Sequence, residues 1–196
     1  MTHEKRPCEP IFGYLSAWES PELGCLGGYL IVSVRGRPLE FHCAAPVPLN
    51  RAQQILFGPT LWPYVLGEQI GGRLLREAKL RPSVVLTDHP ATLCLRSQIH
   101  MPMVRVLRRV QEADQGSETH LRNRDSIGQP SCGVVLSDCS LELPSGFESD
   151  HAAAVKALEQ LAQHIDLWEP FDRIQEAIRE AQRLDGRSHD GHEQAA

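Results

Sequence analysis

Glu40 and His42 stand two residues apart in the alternating segment Leu39-Glu40-Phe41-His42-Cys43, whose period suits a β-strand. On a strand such residues share a face, so a carboxylate and an imidazole there can exchange a proton or hold a polar ligand together. The preceding run, Tyr29 to Val34, pairs with this strand if Arg35-Gly36 forms a two-residue turn. That register sets Val34 opposite Arg37, Val32 opposite Leu39, Leu30 opposite Phe41 and Tyr29 opposite His42. Leu30, Val32, Leu39 and Phe41 then form the buried face, and Tyr29, Ile31, Ser33, Glu40 and His42 a mixed face on which Tyr29, Glu40 and His42 are the binding candidates.

A second candidate is Asp88-His89-Pro90, which follows the apolar run Val84-Val85-Leu86. Asp and His at a strand end suit acid–base work or a metal, with Asp125, Asp138 or His100 as distant complements. A turn-forming Asp, bonding its own local backbone, accounts for the same residues without function. The neighbours His42 and Cys43 do not make a thiol nucleophile with its base, because adjacent strand residues point to opposite faces. Cys43 instead reads as a small core residue beside Leu39 and Phe41.

No stronger motif supports these candidates. The chain has no C-x-x-C, H-E-x-x-H or G-x-S-x-G pattern, and no glycine-rich turn between a strand and a helix. Glu40, His42, Asp88 and His89 therefore remain catalytic candidates without an assembled constellation, and the sequence implies no metal and no cofactor. The six cysteines, at 8, 25, 43, 94, 132 and 139, lack zinc-site spacing. The Met-Thr-His-Glu-Lys-Arg-Pro start has no apolar export core, and no run is long enough to span a bilayer. These features predict reduced thiols, a cytoplasmic setting and no membrane partner.

The elements that must position the candidates follow from periodicity. Residues 1–10 read as a flexible arm, 11–107 as an α+β core, and 108–130 as a mobile loop or linker. Residues 131–184 supply a last strand and a helical hairpin completing the same domain, and 185–196 a disordered tail. Ile11–Trp18 reads as a first strand, Ala91–Leu95 and Met101–Leu107 as later ones, and Cys132–Asp138 as the last. Asn50 and Gln53 form a capping box, with Gly58 as the stop. Leu61, Val65, Leu66, Ile70, Leu74 and Leu75 mark one helix over 61–78, whose Gly67, Gly71 and Gly72 imply close packing. Segregated strands and helices predict α+β, with a largely antiparallel sheet built on the 29–43 hairpin, packed by the 61–78 helix. A doubly wound parallel sheet is the runner-up.

The net charge of −5 argues against a nucleic-acid partner, although Arg105, Arg108, Arg109, Arg122 and Arg124 cluster in sequence. The aromatic residues Trp168 and Phe171 open an amphipathic helix and suit an interface. Together these predict a non-catalytic adaptor or subunit that binds a protein partner or its own copy. The alternatives are a small hydrolase or transferase using the Glu/His face and the Asp-His turn, and a nucleic-acid accessory factor using the arginines.

Overall fold

The computed structural model describes residues 9–109 and 131–190. The long apolar runs at the start form β1 (Ile11–Ser20) and β2 (Gly24–Ser33), paired antiparallel along their full lengths from Ile11–Ser33 to Ser20–Gly24. β3 (Pro38–Cys43) pairs with β2, but the turn is not the expected two-residue one. The Gly36 amide donates to the Ser33 carbonyl at 2.9 Å and Ser33 N–H donates to the Arg37 carbonyl at 3.0 Å. This is a three-residue loop whose last residue, Gly36, has φ +74°, a value glycine adopts without a Cβ clash. A bulge beside Ile31 and Val32 then shifts the register back, so Leu30 faces Phe41 and Tyr29 faces His42 as expected.

Asn50 closes the capping box: its Oδ1 accepts from Gln53 N–H at 2.8 Å, and its own amide donates to Gln53 Oε1. The capped helix, α1 (Arg51–Phe57), stops at Gly58, which has φ +49°. After a 3₁₀ turn, the expected 61–78 helix runs as π-helical Pro63–Gly71 continuing into α2 (Gly72–Glu77). Its glycines do mark close packing. A Cβ on Gly67 would lie 2.5 Å from Cys94 Sγ and 2.9 Å from the Ala91 carbonyl.

β4 (Val84–Thr87) lies parallel to β1, and β5 (Met103–Arg108) parallel to β4. The expected strand 91–95 is a 3₁₀ helix, Pro90–Ser97, instead. Pro90 presets the first turn, and Thr92 Oγ1 donates back to the His89 carbonyl at 2.7 Å. The expected single last strand is a hairpin, β6 (Ser131–Leu136) and β7 (Cys139–Leu143). It turns at Ser137, whose φ is +55°, and β7 pairs antiparallel with β5. Among the described residues the strands make one seven-stranded sheet, ordered β3-β2-β1-β4-β5-β7-β6. The fold is α+β with a mostly antiparallel sheet, and its middle is parallel because β1, β4 and β5 run together.

Alternation along the strands divides the core between two faces. Leu15, Tyr29, Ile31, Val85 and Met103 pack under Val65, Leu66, Ile70 and Leu74. Phe12, Tyr14, Leu30, Leu86, Val104 and Leu141 pack under α3 (His151–Ala162) and α4 (Glu169–Asp190). Tyr14 and Phe171 meet edge to face, with centroids 5.0 Å apart. The principal contacts of α4 are with β1 and β2 and those of α3 with β6, so the expected helical hairpin is not a clear feature. α4 continues to Asp190, past the Leu184 at which a disordered tail was expected; residues 191–196 lie outside the described ones. So do residues 110–130 of the expected 108–130 loop, and residues 1–8 of the arm; Arg108 belongs to β5.

The buried face expected for the hairpin is half right. Leu30 and Val32 are buried, but Leu39 and Phe41 are 44% and 41% exposed. β3 is the edge strand, and α4 covers β1 and β2 without reaching over it. Tyr29 and Ile31, on the face expected to be mixed and open to ligands, are buried because the 63–77 helix covers that side of β2. Core aromatic truncations cost about 3–5 kcal/mol, so Phe171→Ala should lose about that much in urea unfolding. Phe41→Ala should lose less than half as much, and equal losses would contradict this division of the core.

Candidate functional site

The Glu40 and His42 face is assembled, but as a structural tie. His42 Nε2 and Glu40 Oε1 are 2.7 Å apart, and the same carboxylate accepts from the amides of Lys79 and Leu80 at 2.8 and 2.9 Å. It thereby fastens β3 to the chain leaving α2. These bonds, first that from Lys79 and then those from His42 and Leu80, pull its pKa down to about 2. Tyr29 sits opposite His42 along the backbone, yet its hydroxyl is buried beside Gly13 on β1, without a protein partner. The structure therefore does not bring the phenol, carboxylate and imidazole together. Cys43 is exposed rather than a core residue, since it lies on the uncovered edge strand.

Asp88 stands in a different setting. The parallel register sets Leu15 beside Thr87, which carries Ser16 on β1 next to Asp88 just beyond β4. Ser16 Oγ donates to Asp88 Oδ2 at 2.5 Å. The other oxygen, Oδ1, is sealed from solvent; the amides of Ala17 and Asp88 lie near the carboxylate, but neither closes an ordinary hydrogen bond to Oδ1. Burial dominates the Ser16 bond and pushes the carboxyl up to about 6. The pair also occupies a defined point in the topology. The chain leaves β1 toward β2 on one side and leaves β4 toward β5 on the other. In open sheets with parallel strands, the crevice at such a reversal, at the carboxyl ends, is where ligands bind.

His89 borders this point in a set tautomer. Its Nδ1 accepts the Ala91 amide at 3.2 Å, so the neutral ring carries its proton on Nε2. Burial, aided by the charge of Arg105, lowers its pKa to about 4 and keeps it neutral at pH 7. Thr87 and Thr92 bond each other at 2.6 Å beneath it and hold the turn. Arg105 on β5 pairs with Glu142 on β7 at 2.8 Å, while its buried Nε has no protein partner. The turn is anchored from outside by Arg96, which grips Asp150 through two bonds of 2.5 and 3.1 Å and lies 4.3 Å from the Phe147 ring.

The structure thus joins Asp88 and His89 with Ser16 and Arg105, and separates them from Glu40 and His42. Ser16 had no signal in the sequence: a serine in an apolar strand gains meaning only from the β1–β4 register. Among the described residues no group of three His, Cys, Asp or Glu side chains could hold a metal ion. Phe171 is fully buried and unavailable to a partner. Trp168 is half-buried, with Nε1 donating to Asp172 at 3.2 Å and its amide donating to Asp166 at 2.8 Å.

No family model and no curated protein matches this chain. Among solved structures, it is similar to Ciona intestinalis Endonuclease V (D234N) in complex with a 23-mer DNA containing an inosine followed by a ribo-adenosine. The TM-score is 0.35 and identity 15%, over 53% of this chain and 48% of that one. It is also similar to Marinitoga piezophila Argonaute in complex with a 5′-OH guide RNA, with TM-score 0.29, identity 13%, and 53% and 18% of the chains covered. The overlap spans less than half of either neighbour, and it identifies no activity for this chain. It does run against two expectations. The non-catalytic protein adaptor, with a protein partner or a second copy, and the expected lack of nucleic acid are both withdrawn, because the partial neighbours are nucleic-acid complexes.

The buried carboxyl carries a test. A folded-state pKa raised from 3.8 to about 6 gives stability that is full below about pH 4 and is lost as pH rises through 6. Asp88→Asn should flatten urea stability between pH 4 and 7 and gain on the order of 2 kcal/mol at pH 7. An unchanged pH profile would show that the carboxyl is not held as described.

Proposed function

We propose that the protein binds nucleic acid at the carboxyl ends of β1, β4 and β5. One observation carries the reading: Asp88, held by Ser16 at the reversal of the sheet, keeps a buried oxygen without a protein partner. Buried polar atoms are almost always satisfied, and this exception lies at a strand-end reversal, the place where open sheets bind ligands. The chemistry around it suits a nucleotide. Asp88 Oδ1, buried in the free chain, becomes an acceptor for a base N–H or a sugar hydroxyl once a ligand parts the strand ends, and His89 Nε2–H is a neutral donor. Arg105, whose charge acts on both Asp88 and His89 and is partly offset by Glu142, adds to the positive field for a phosphate; β5 ends at Arg108, and Arg109 follows it.

A net charge of −5 means that this field is local, so affinity should be modest and should fall with salt. Among the described residues, no helix is long and apolar enough to cross a membrane. A reducing, cytoplasmic setting is part of the proposal, supported by free Cys25, Cys43, Cys94 and Cys139. Burial also pushes the Cys25 thiol up to about 11, away from the reactive thiolate.

Fluorescence anisotropy with labelled single-stranded DNA, duplex DNA and RNA tests the reading. Wild type should bind at least one probe, and Arg105→Gln should weaken that binding about tenfold. Asp88→Asn should change the preference among bases more than the salt dependence. If no probe binds at low salt, or if both folded variants match wild type, the reading fails.

A further inference from the structure

Away from Asp88, a concavity of about 230 Å³ lies between the carboxyl end of β5, the start of β7 and the turn entering α4. Arg108, Arg109, Asp138, Cys139, Asp166 and Trp168 line it. It is smaller than the roughly 300–1,000 Å³ of drug-sized ligand pockets, and suits one planar ring. Trp168 is fixed there by its bonds to Asp166 and Asp172 and by Phe171, whose ring centroid is 5.4 Å away. An indole held this way contributes surface with little further loss of freedom on binding.

The two arginines differ from others in the fold. Arg96, Arg105 and Arg173 are committed to Asp150, Glu142 and Glu169. Arg108 and Arg109 are exposed and make no side-chain hydrogen bond or ion pair with another described residue. They stand over a pocket that includes Asp138 and Asp166, yet neither pairs with them. The Arg109 amide does donate to the Asp138 carbonyl at 3.0 Å, which fixes the backbone there. Two uncommitted guanidinium groups beside a fixed aromatic ring, with carboxylates as acceptors, make the combination that binds an unpaired nucleotide. The base stacks, its amino group reaches a carboxylate, and the phosphates meet the guanidiniums. A paired base has no free face to offer such a platform.

Resting on the nucleic-acid reading above, we infer that this concavity seats one unpaired base of a single strand, stacked on Trp168 with its flanking phosphates on Arg108 and Arg109. The probes that separate the two ideas are a single-stranded oligodeoxynucleotide, its abasic analogue of equal charge, and the matching duplex. Wild type should prefer the single strand to both others by about tenfold or more, since base–aromatic stacking is worth about 1–3 kcal/mol. Trp168→Leu should remove that preference and leave abasic binding unchanged. Arg108→Ala with Arg109→Ala, both surface changes, should weaken all three probes and reduce the salt slope by one to two. Equal wild-type affinity for the single strand and its abasic analogue would overturn the inference while leaving the nucleic-acid reading intact. So would an unchanged preference in folded Trp168→Leu, or an unchanged salt slope in the double variant. Failure to bind any of the three would overturn the inference, and failure to bind RNA as well would overturn both.

Discussion

The structure depends on β1 being paired on both edges and covered on both faces. Its antiparallel pairing with β2 is local, closed by a short turn, whereas its parallel pairing with β4 joins residues about seventy positions apart. The chain between the two strands supplies β2, β3 and the 61–77 helix. Burial on both faces means that β1 and β2 tolerate polar residues only at particular points. Ser16 is fully buried and acceptable because Asp88 accepts its hydroxyl proton. Gly28, opposite Ser16, leaves room for α4, since a Cβ there would lie 2.6 Å from Ile174.

Charged side chains make the long connections. Glu40 spans from the edge strand to the end of α2 and gathers the Lys79 and Leu80 amides, which the extended backbone at Ala78 carries away from the helix. Arg96 spans from the 3₁₀ helix to the start of α3, bonding Asp150 and the Ile99 carbonyl at once. Asp150 stands at the start of α3, but its carboxylate serves Arg96 rather than capping a backbone amide. The two polar groups with the clearest chemistry in sequence, Glu40 and His42, are thus occupied in holding the fold. Asp88 keeps unused hydrogen-bonding capacity.

A strand-end site of this kind comes from topology. Parallel neighbours place their carboxyl ends together, and the reversal between β1 and β4 leaves their following segments on opposite sides. Asp88 is fixed there by Ser16 below, while the knot of Thr87, Thr92 and His89 fixes the turn. The concavity at Trp168 depends equally on distant parts of the chain, since β5, β7 and the start of α4 each supply part of its wall.

Local physics settled what was readable from the amino acids alone. The capping box at Asn50, the stop at Gly58, and the Tyr29–His42 and Leu30–Phe41 partnerships follow from short-range bonding and period-two alternation. The π-helical segment and its close-packed glycines were readable as one helix because its apolar stripe is long. Tertiary structure decided whether an apolar strand residue is covered, and Phe41 is open because its strand is an edge. It also decided that Ala91–Leu95 coils into a 3₁₀ helix, where a buried packing face and the Thr92 bond outweigh a short apolar run. Ser16 and Asp88 were each visible as residues. Only the parallel pairing of β1 with β4 makes them a pair, because a contact between distant residues leaves no local periodicity to read.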